Sequence, residues 1–188
     1  MEQNNKDGFT LIEIVLVIAI AGAIFAAIFI ALSGVWADER DNERRSDVME
    51  FIRQIKNYQT NNARGALPVG TGSVSGSNVA DARCKKNGRT DCLMPLEEFT
   101  DNSWGGFYRD YFSDGFTDPD GPYYDLFVAQ CTSSSLDSSC NVAVTSSYTL
   151  YVETSAVCYG ENAIKSANQR NVAVLYKMEA GGIYCENT

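Results

Sequence analysis

The run of apolar residues from Ile14 to Leu32 constrains the fold of this chain more than any other feature. All nineteen residues are Ile, Val, Leu, Ala or Phe, apart from the single glycine Gly22. A helix of about 20 apolar residues is long enough to cross the hydrocarbon layer of a bilayer. Glu13 directly precedes the run, and an ionisable side chain inside a membrane costs roughly 3 kcal/mol. We therefore expect a membrane-spanning helix and a functional role for the Glu13 carboxylate.

A second helical pattern follows the apolar run. Five apolar side chains recur at the spacing of one helix face, and the charged residues between them are expected to form a solvated face with pairs such as Asp41/Arg45. No proline lies within residues 9–62, whereas Gly65 and Pro68 are helix-ending signals. The sequence thus predicts one nearly continuous helix of about 50 residues, apolar all round in its first half and amphipathic in its second. The apolar stripe of the second half consists of Val48, Phe51, Ile52, Ile55 and Tyr58.

The C-terminal part is expected to be rich in β-strands. Residues 65–92 are rich in Gly, Ser and Asn and predict a loop, and residues 93–120 predict loops with a short helix near Leu96–Phe99. Four later segments are rich in β-branched and aromatic residues, and their closeness along the chain favours antiparallel pairing, with one sheet face covering the stripe. The predicted fold class is α+β, a long N-terminal helix packed against a C-terminal antiparallel sheet. The four predicted strands are Tyr123–Gln130, Tyr148–Thr154, Asn171–Met178 and Gly182–Cys185.

The cysteines indicate the compartment of the C-terminal part. All six lie outside the apolar run and none forms a C-x-x-C pair, so a zinc-ribbon or thioredoxin-like site is not favoured. An even number in a membrane-anchored domain favours disulfides in an oxidising compartment, with the C-terminal part outside. Six cysteines allow about 15 sets of pairings. Short loops favour Cys84–Cys92, Cys131–Cys140 and Cys158–Cys185.

Composition argues against two classes of function. The net charge is −9, and the chain from residue 65 onward has 15 acidic and 8 basic residues, which disfavours a broad nucleic-acid-binding surface. The chain has no histidine, so it lacks the commonest general base and the commonest metal ligand. The serines therefore have no imidazole to activate them, and we predict that the chain is not an enzyme.

The hexapeptide G-F-T-L-I-E, Gly8 to Glu13, resembles the processing signature of type IV pilins and their pseudopilin relatives. The resemblance covers about residues 6–63, with Glu13 and Gly22 where that family has its equivalents. It implies the pilin fold, cleavage by a prepilin peptidase between Gly8 and Phe9, and N-methylation of the new Phe9 amine. It also implies that the apolar helices pack into the core of a filament, with Phe9, Glu13 and Gly22 as assembly residues.

The resemblance also implies an organisation and a location. We expect a leader at 1–8, a transmembrane and filament-core helix at 9–36, its amphipathic continuation at 37–64, and a disulfide-containing α+β head at 65–188. The precursor is expected in the cytoplasmic (inner) membrane with its head outside, and the mature chain in an extracellular pilus. The implied partners are identical or related pilin subunits, the prepilin peptidase, the pilus assembly platform and the membrane.

Three functions are compatible with these features. The first is a structural pilus subunit that assembles into a surface filament. The second is a minor pilin, or a pseudopilin of a competence or type II secretion-like system, whose head binds DNA or a surface for adhesion. The third is a single-pass membrane protein in which the hexapeptide is coincidental.

The turn FTDPDGPYYD, residues 116–125, is a candidate calcium site because it places several carboxylates close together, and Ca²⁺ takes six to eight oxygen ligands. It is also similar to the calcium loop of some pseudopilins. The alternative is that Asp-Pro-Asp-Gly simply forms a turn. The sequence implies no other cofactor. The candidate ligands are Asp114, Asp118, Asp120 and Asp125.

Two further segments have a functional and a structural interpretation. The loop RCKKNGRTDC, residues 83–92, carries four cations and one anion. In one interpretation it contacts DNA or an acidic surface; in the other, which is favoured, it is a solvated loop. The aromatic residues between Trp104 and Phe112 also have two interpretations, a platform for a ligand or packing in the core. We favour packing in the core.

Glu13 also has two interpretations. In one, its carboxylate only interacts with the dipole at the start of its own helix, which contributes about 0.3–1 kcal/mol. In the other, it pairs with the charged amine of Phe9 on a neighbouring subunit, so that both charges are neutralised together in the filament. Because the first effect is smaller than the cost of placing a carboxylate among apolar residues, we favour the second.

Overall fold

The computed structural model describes residues 9–76, 100, 102–112, 116–133, 135–140 and 142–188. Two helices, a short 3-10 turn and seven strands make up its regular structure. The helices are α1 (Leu11–Asn61) and α2 (Trp104–Tyr111), with the 3-10 turn at Ala63–Gly65. The strands are β1 (Gly72–Val74), β2 (Asp125–Gln130), β3 (Thr149–Thr154), β4 (Ala156–Tyr159), β5 (Asn162–Lys165), β6 (Val172–Lys177) and β7 (Ile183–Asn187).

Helix α1 confirms the prediction of one nearly continuous helix, with 51 residues. It ends at Asn61, close to the predicted signals, and Gly65 just beyond it adopts a φ of 66° that a residue with a Cβ rarely takes. The chain divides into two compact units, Met1–Glu39 and Arg40–Thr188. The second unit is called the head unit below.

In the first unit the large apolar side chains of α1 are exposed, as far as the structure describes them. Phe9 is 85 % exposed and Ile30 is 80 % exposed. By length and composition this part of α1 is able to cross a membrane. Such a continuous apolar surface requires lipid or another protein to cover it.

The head unit is built on a five-stranded sheet of order β1-β2-β3-β6-β7. Three of its four pairings are antiparallel, and two of these join predicted strands; the third involves β1, which lies in a segment that was wrongly predicted as loop. Strands β2 and β3 pair in parallel, with Leu126 opposite Leu150. The prediction of antiparallel pairing was wrong for these two strands. Residues 131–148 are long enough to return the chain to the same end of the sheet, as a parallel connection requires.

One face of the sheet packs against the apolar stripe of α1, which confirms that part of the prediction. Every stripe residue is buried, with Phe51 and Ile55 fully inaccessible. The core also takes alternate residues of the central strands, among them Leu126, Leu150 and Val174. The alternation follows from the period of two along a strand.

The other face of the sheet carries a smaller layer that was not predicted from the sequence. Strands β4 and β5 form a two-stranded antiparallel sheet. They pack with Tyr151 and Leu175 in a second apolar cluster. Both strands have only four residues, so their alternation is too short to be recognised.

Helix α2 was not predicted either, because two glycines, Gly105 and Gly106, weaken the helical pattern. The Ser103 hydroxyl caps it by accepting a hydrogen bond from Gly106 N–H. Its aromatic residues pack in the core, which confirms the favoured interpretation: Phe107, for example, lies 5.7 Å from Phe51, ring centroid to centroid. The short helix predicted near residues 96–99 lies outside the described residues.

Candidate functional site

The start of α1 holds the Glu13 carboxylate in a local hydrogen-bonded arrangement. Glu13 Oε2 accepts hydrogen bonds from the Thr10 N–H (2.8 Å) and from the Thr10 hydroxyl (2.7 Å). The Glu13 N–H in turn points to Thr10 Oγ1 at 3.4 Å. This is the reciprocal pattern of a capping box, T-x-x-E, which satisfies N–H groups that a helix start otherwise leaves unpaired.

The cap leaves part of the carboxylate unused. Both bonds to the side chain end on Oε2, and within the described residues Oε1 accepts no hydrogen bond. Glu13 and Phe9 are both exposed. Phe9 and the first turn of α1 therefore present a bulky apolar side chain and a carboxylate oxygen on an uncovered surface.

The other predicted N-terminal residues are placed as follows. Gly22 lies within α1, and a Cβ built there would meet nothing within 4 Å, so the chain itself gives no packing reason for this glycine. Gly8 lies outside the described residues, as does the rest of the predicted leader. Cleavage of the leader after Gly8 and the assembly role of Gly22 stay predictions.

A second polar arrangement lies in the head unit and centres on Arg44, which is only 2 % exposed. Its Nε donates to Asp118 Oδ2 and its Nη2 to Asp118 Oδ1, each at 2.9 Å. Nη1 lies 3.0 Å from both Asp41 Oδ1 and Glu179 Oε2, and Nη2 lies 2.6 Å from Asp120 Oδ2. One guanidinium therefore joins α1 to two other segments of the head unit. We call these five residues, with Arg40, the Arg44 network.

Further hydrogen bonds hold the Arg44 network together. Arg40 Nε donates to Glu179 Oε2 at 2.9 Å. The backbone N–H groups of Glu179 and Ala180 each donate to the Asp41 carboxylate, also at 2.9 Å. The connection between β6 and β7 is thus held to α1 by both side-chain and backbone hydrogen bonds.

The network favours the charged form of its members. Hydrogen bonds to Asp118 raise the pKa of Arg44 above its usual value. Burial alone would raise the pKa of Asp118, but hydrogen bonds from Arg44 and from its own turn outweigh burial and lower it. Hydrogen bonds from Arg40 and Arg44 lower the pKa of Glu179 to about 2. These groups stay ionised at neutral pH.

One tyrosine hydroxyl joins the Arg44 network to the core, and a second bonds Asp47 beside the network. The Tyr176 hydroxyl donates to Asp118 Oδ2 at 2.7 Å, and the Tyr124 hydroxyl donates to Asp47 Oδ2 at 2.9 Å. Burial raises the pKa of Asp47 to about 6, although the hydrogen bond from Tyr124 opposes that shift. Asp47 is therefore the carboxyl beside the network that titrates nearest to neutral pH.

The structure brings two of the four candidate calcium ligands together. Asp118 and Asp120 share the turn, since the Asp120 N–H donates to Asp118 Oδ1 at 2.9 Å. Both oxygens of Asp118 are taken by Arg44. Asp125 instead accepts from the Gly76 N–H at 2.8 Å, and Asp114 lies outside the described residues. Within the described part of the chain no group of three or more His, Cys, Asp or Glu side chains is arranged around a metal position. Calcium binding stays a prediction.

Two disulfides brace the head unit. Cys131–Cys140 closes a loop beside β2, with 5.1 Å between the Cα atoms. Cys158–Cys185 joins β4 to β7, with 5.7 Å between the Cα atoms. These are two of the three pairings that short loops favoured. Cys84, Cys92 and the basic loop 83–92 lie outside the described residues.

The Arg44 network was not identified from the sequence. The sequence pattern assigned Asp41 to a solvated face paired with Arg45, whereas Asp41 is 4 % exposed and pairs with Arg44. A signal was present, because Arg44 lies four residues before Val48 and so continues the buried stripe. A charged residue on an apolar stripe is buried only when it has partners.

Comparison with known families adds to this geometry. Residues 3–29 match the family model described as the prokaryotic N-terminal methylation motif. No curated protein and no solved structure matches the chain. The matched residues contain both Phe9 and Glu13 and the first part of the exposed apolar helix. The long N-terminal helix and the antiparallel-rich sheet give an α+β layout consistent with the pilin fold. At its N-terminus the chain carries the prokaryotic N-terminal methylation motif, the signature of type IV pilins and pseudopilins.

Proposed function

We propose that this chain is a structural subunit of a type IV pilus. The precursor is cleaved between Gly8 and Phe9, the Phe9 amine is methylated, and the mature chain assembles through the apolar part of α1. The observation that carries the proposal is the methylation motif at residues 3–29, which continues into a helix surface that the described chain leaves uncovered. Packing of α1 against the same helix of other copies would remove that surface from water and lipid.

Glu13 acts in this proposal as the residue that sets the axial position of a subunit. The methylated amine of Phe9 on an incoming subunit pairs with the Glu13 carboxylate of a subunit already in the filament. The capping box supports this role because it fixes one oxygen and leaves Oε1 available. Apolar side chains alone would let parallel helices slide, whereas a buried charge pair has one favourable register.

The expected location follows from the same proposal. The precursor sits in the cytoplasmic membrane with the head unit outside. In that membrane the prepilin peptidase and the assembly platform act on it. The disulfides Cys131–Cys140 and Cys158–Cys185 support an oxidising compartment for the head unit. The signature points to a structural subunit rather than to an enzyme.

Shearing of surface filaments from cells that express the full chain tests this function. A structural pilus subunit is the most abundant protein of the sheared fraction. A chain that stays in the membrane fraction, with filaments unaffected by its deletion, would contradict the proposal. A trace amount in filaments made of another subunit would favour a minor pilin or pseudopilin instead.

A further inference from the structure

A polar cleft of about 370 Å³ lies at the C-terminal end of α1. Lys56 and Gln59 of α1 line one side, and Asn168, Arg170 and Asn171 line the other. Gln59 Nε2 donates to the Arg170 carbonyl oxygen at 2.8 Å, which holds the two sides together. No Asp or Glu side chain is among the described residues that line the cleft. We call it the basic cleft.

The cations of the basic cleft lack partners within the described part of the chain. Lys56 and Arg170 are exposed, and neither has an ion pair or a side-chain hydrogen bond there. Arg64, also exposed, precedes the lining residue Gly65 in the 3-10 turn. On a chain of net charge −9 this is a local excess of positive charge that attracts an acidic partner.

The same head unit has an acidic surface at the other end of its part of α1. The Arg44 network contains two arginines and four carboxylates, so its net charge is negative. The side chains of Asp120 and Glu179 each pair with Arg40 and Arg44 but remain 37 % exposed, so they can still face a partner. Glu43, next to Arg44 in α1, is exposed too, with no ion pair within the described residues. We call Glu43, Asp120 and Glu179 the acidic surface.

The two surfaces are separated along one helix. Glu43 and Lys56 are 13 residues apart in α1, which corresponds to about 20 Å at 1.5 Å per residue. A copy that offers its basic cleft to the acidic surface of the next copy still has its own acidic surface free. Such a head-to-tail contact leaves a free surface at each end, so it extends into an open filament when the rotation between copies does not close a ring.

We propose that the basic cleft binds the acidic surface of a second copy of this chain. This inference rests on the proposed pilus function and adds a contact between head units to the pairing of α1 helices. The two surfaces occur on the same chain with opposite charge, and this complementarity favours a second copy as the partner. Because the contacting side chains are exposed, the contact weakens as salt screens it.

Charge reversal in the full-length chain tests the contact. We expect Lys56→Glu/Arg170→Glu to lower the amount of sheared filament at least fivefold and to make the remaining filaments dissociate at lower salt than the wild type. Arg53→Glu is the matched control, because Arg53 is exposed on the same helix but lies outside the cleft, paired with Glu50. The control should leave filament yield within twofold of the wild type.

A compensating charge reversal distinguishes loss of the contact from misfolding of the head unit. Glu43→Lys added to the cleft variant should restore at least part of the filament yield, which a misfolded head unit would not allow. Normal filaments from the cleft variant would overturn the proposal, and so would a loss that Glu43→Lys does not restore. If filaments form normally and only DNA retention falls, the cleft binds nucleic acid and the proposal is wrong. Absence of wild-type filaments would instead refute the pilus function.

Discussion

Arg44 and Asp118 form a two-pronged ion pair inside the head unit, with both nitrogen–oxygen distances at 2.9 Å. The side chain of Arg44 is 3 % exposed and that of Asp118 is fully buried. The pair joins α1 to the turn before β2, 74 residues further along the chain. It is the most buried contact of the Arg44 network and fixes that turn on the helix.

Removing Arg44 should destabilise the head unit strongly. In Arg44→Leu the Asp118 carboxylate keeps its burial but loses its counter-charge, so we expect the free energy of unfolding to fall by about 3–5 kcal/mol. Arg53→Leu is the matched control, since Arg53 is exposed and pairs with Glu50, and it should cost less than about 1 kcal/mol. Urea unfolding of the full-length proteins in detergent measures both values. Equal losses of unfolding free energy in the two variants would show that the buried pair contributes no more to stability than an exposed one.

The buried carboxyl of Glu153 should make the stability of the head unit depend on pH. Glu153 lies in β3 and is 2 % exposed, and its carboxylate has no hydrogen bond or ion pair within the described residues. Burial raises the pKa of this carboxyl to about 7. The folded state therefore binds a proton that the unfolded state has already released between about pH 4.5 and 7. Stability falls as pH rises through that window, and Asp47, with a pKa of about 6, acts in the same direction.

Glu153→Gln tests this sign. We expect the variant to unfold at higher urea than the wild type at pH 8, with a gain on the order of 2 kcal/mol, and with little difference at pH 4.5. Glu161→Gln, at an exposed position, should change stability equally little at both pH values. If Glu153→Gln destabilises the protein equally at both pH values, the raised pKa of Glu153 does not control stability and the prediction is wrong.

The two disulfides should differ in their contribution to stability. Cys158–Cys185 spans 27 residues and Cys131–Cys140 spans 9, so loop-closure entropy predicts about 3.5 and about 2.5 kcal/mol respectively. Cys158→Ala/Cys185→Ala also releases β4 from β7 and with it the second layer of the head unit. We expect this pair of substitutions to lower the thermal midpoint more than Cys131→Ala/Cys140→Ala. A larger fall in the thermal midpoint for Cys131→Ala/Cys140→Ala would contradict this prediction.

The charge and the capping role of Glu13 are separable. A glutamine side chain can still complete a capping box, so Glu13→Gln removes the charge but preserves the helix start. We expect the variant to be cleaved and to fold, yet to enter filaments at least tenfold less often. Thr10→Val removes the capping hydroxyl, keeps the carboxylate, and should cost only about 1 kcal/mol of helix stability.

Filament yield in the sheared fraction, with membrane-associated precursor and mature chain as the control for processing, distinguishes the two roles. Abundant normal filaments from Glu13→Gln would refute the pairing role. A larger defect from Thr10→Val than from Glu13→Gln would assign Glu13 to capping alone.

Elements with a long, regular pattern were predictable from the sequence. The length of α1 and the burial of its stripe follow from apolar spacing without a helix breaker, and the four longer strands from runs of β-branched and aromatic residues. Strands β4 and β5 are too short for that signal. The parallel pairing of β2 with β3 depends on how a long connection is routed, which local sequence does not encode.

The two parts of the candidate site differ in the same way. The hexapeptide Gly8–Glu13 is contiguous, so its resemblance to a processing signature is visible in the sequence. The Arg44 network takes its residues from three segments up to 139 positions apart, and only the fold brings them together. A charged residue in line with a buried stripe was the one local sign of it.

The central claim is that the chain is processed at the motif it carries and then assembled. Mass spectrometry of the N-terminal peptide, taken from the chain in sheared surface filaments, tests this most directly. We predict a peptide that begins at Phe9 with one added methyl group on its amine and no trace of residues 1–8. A filament-derived or membrane-derived chain that still begins at Met1 would contradict the account.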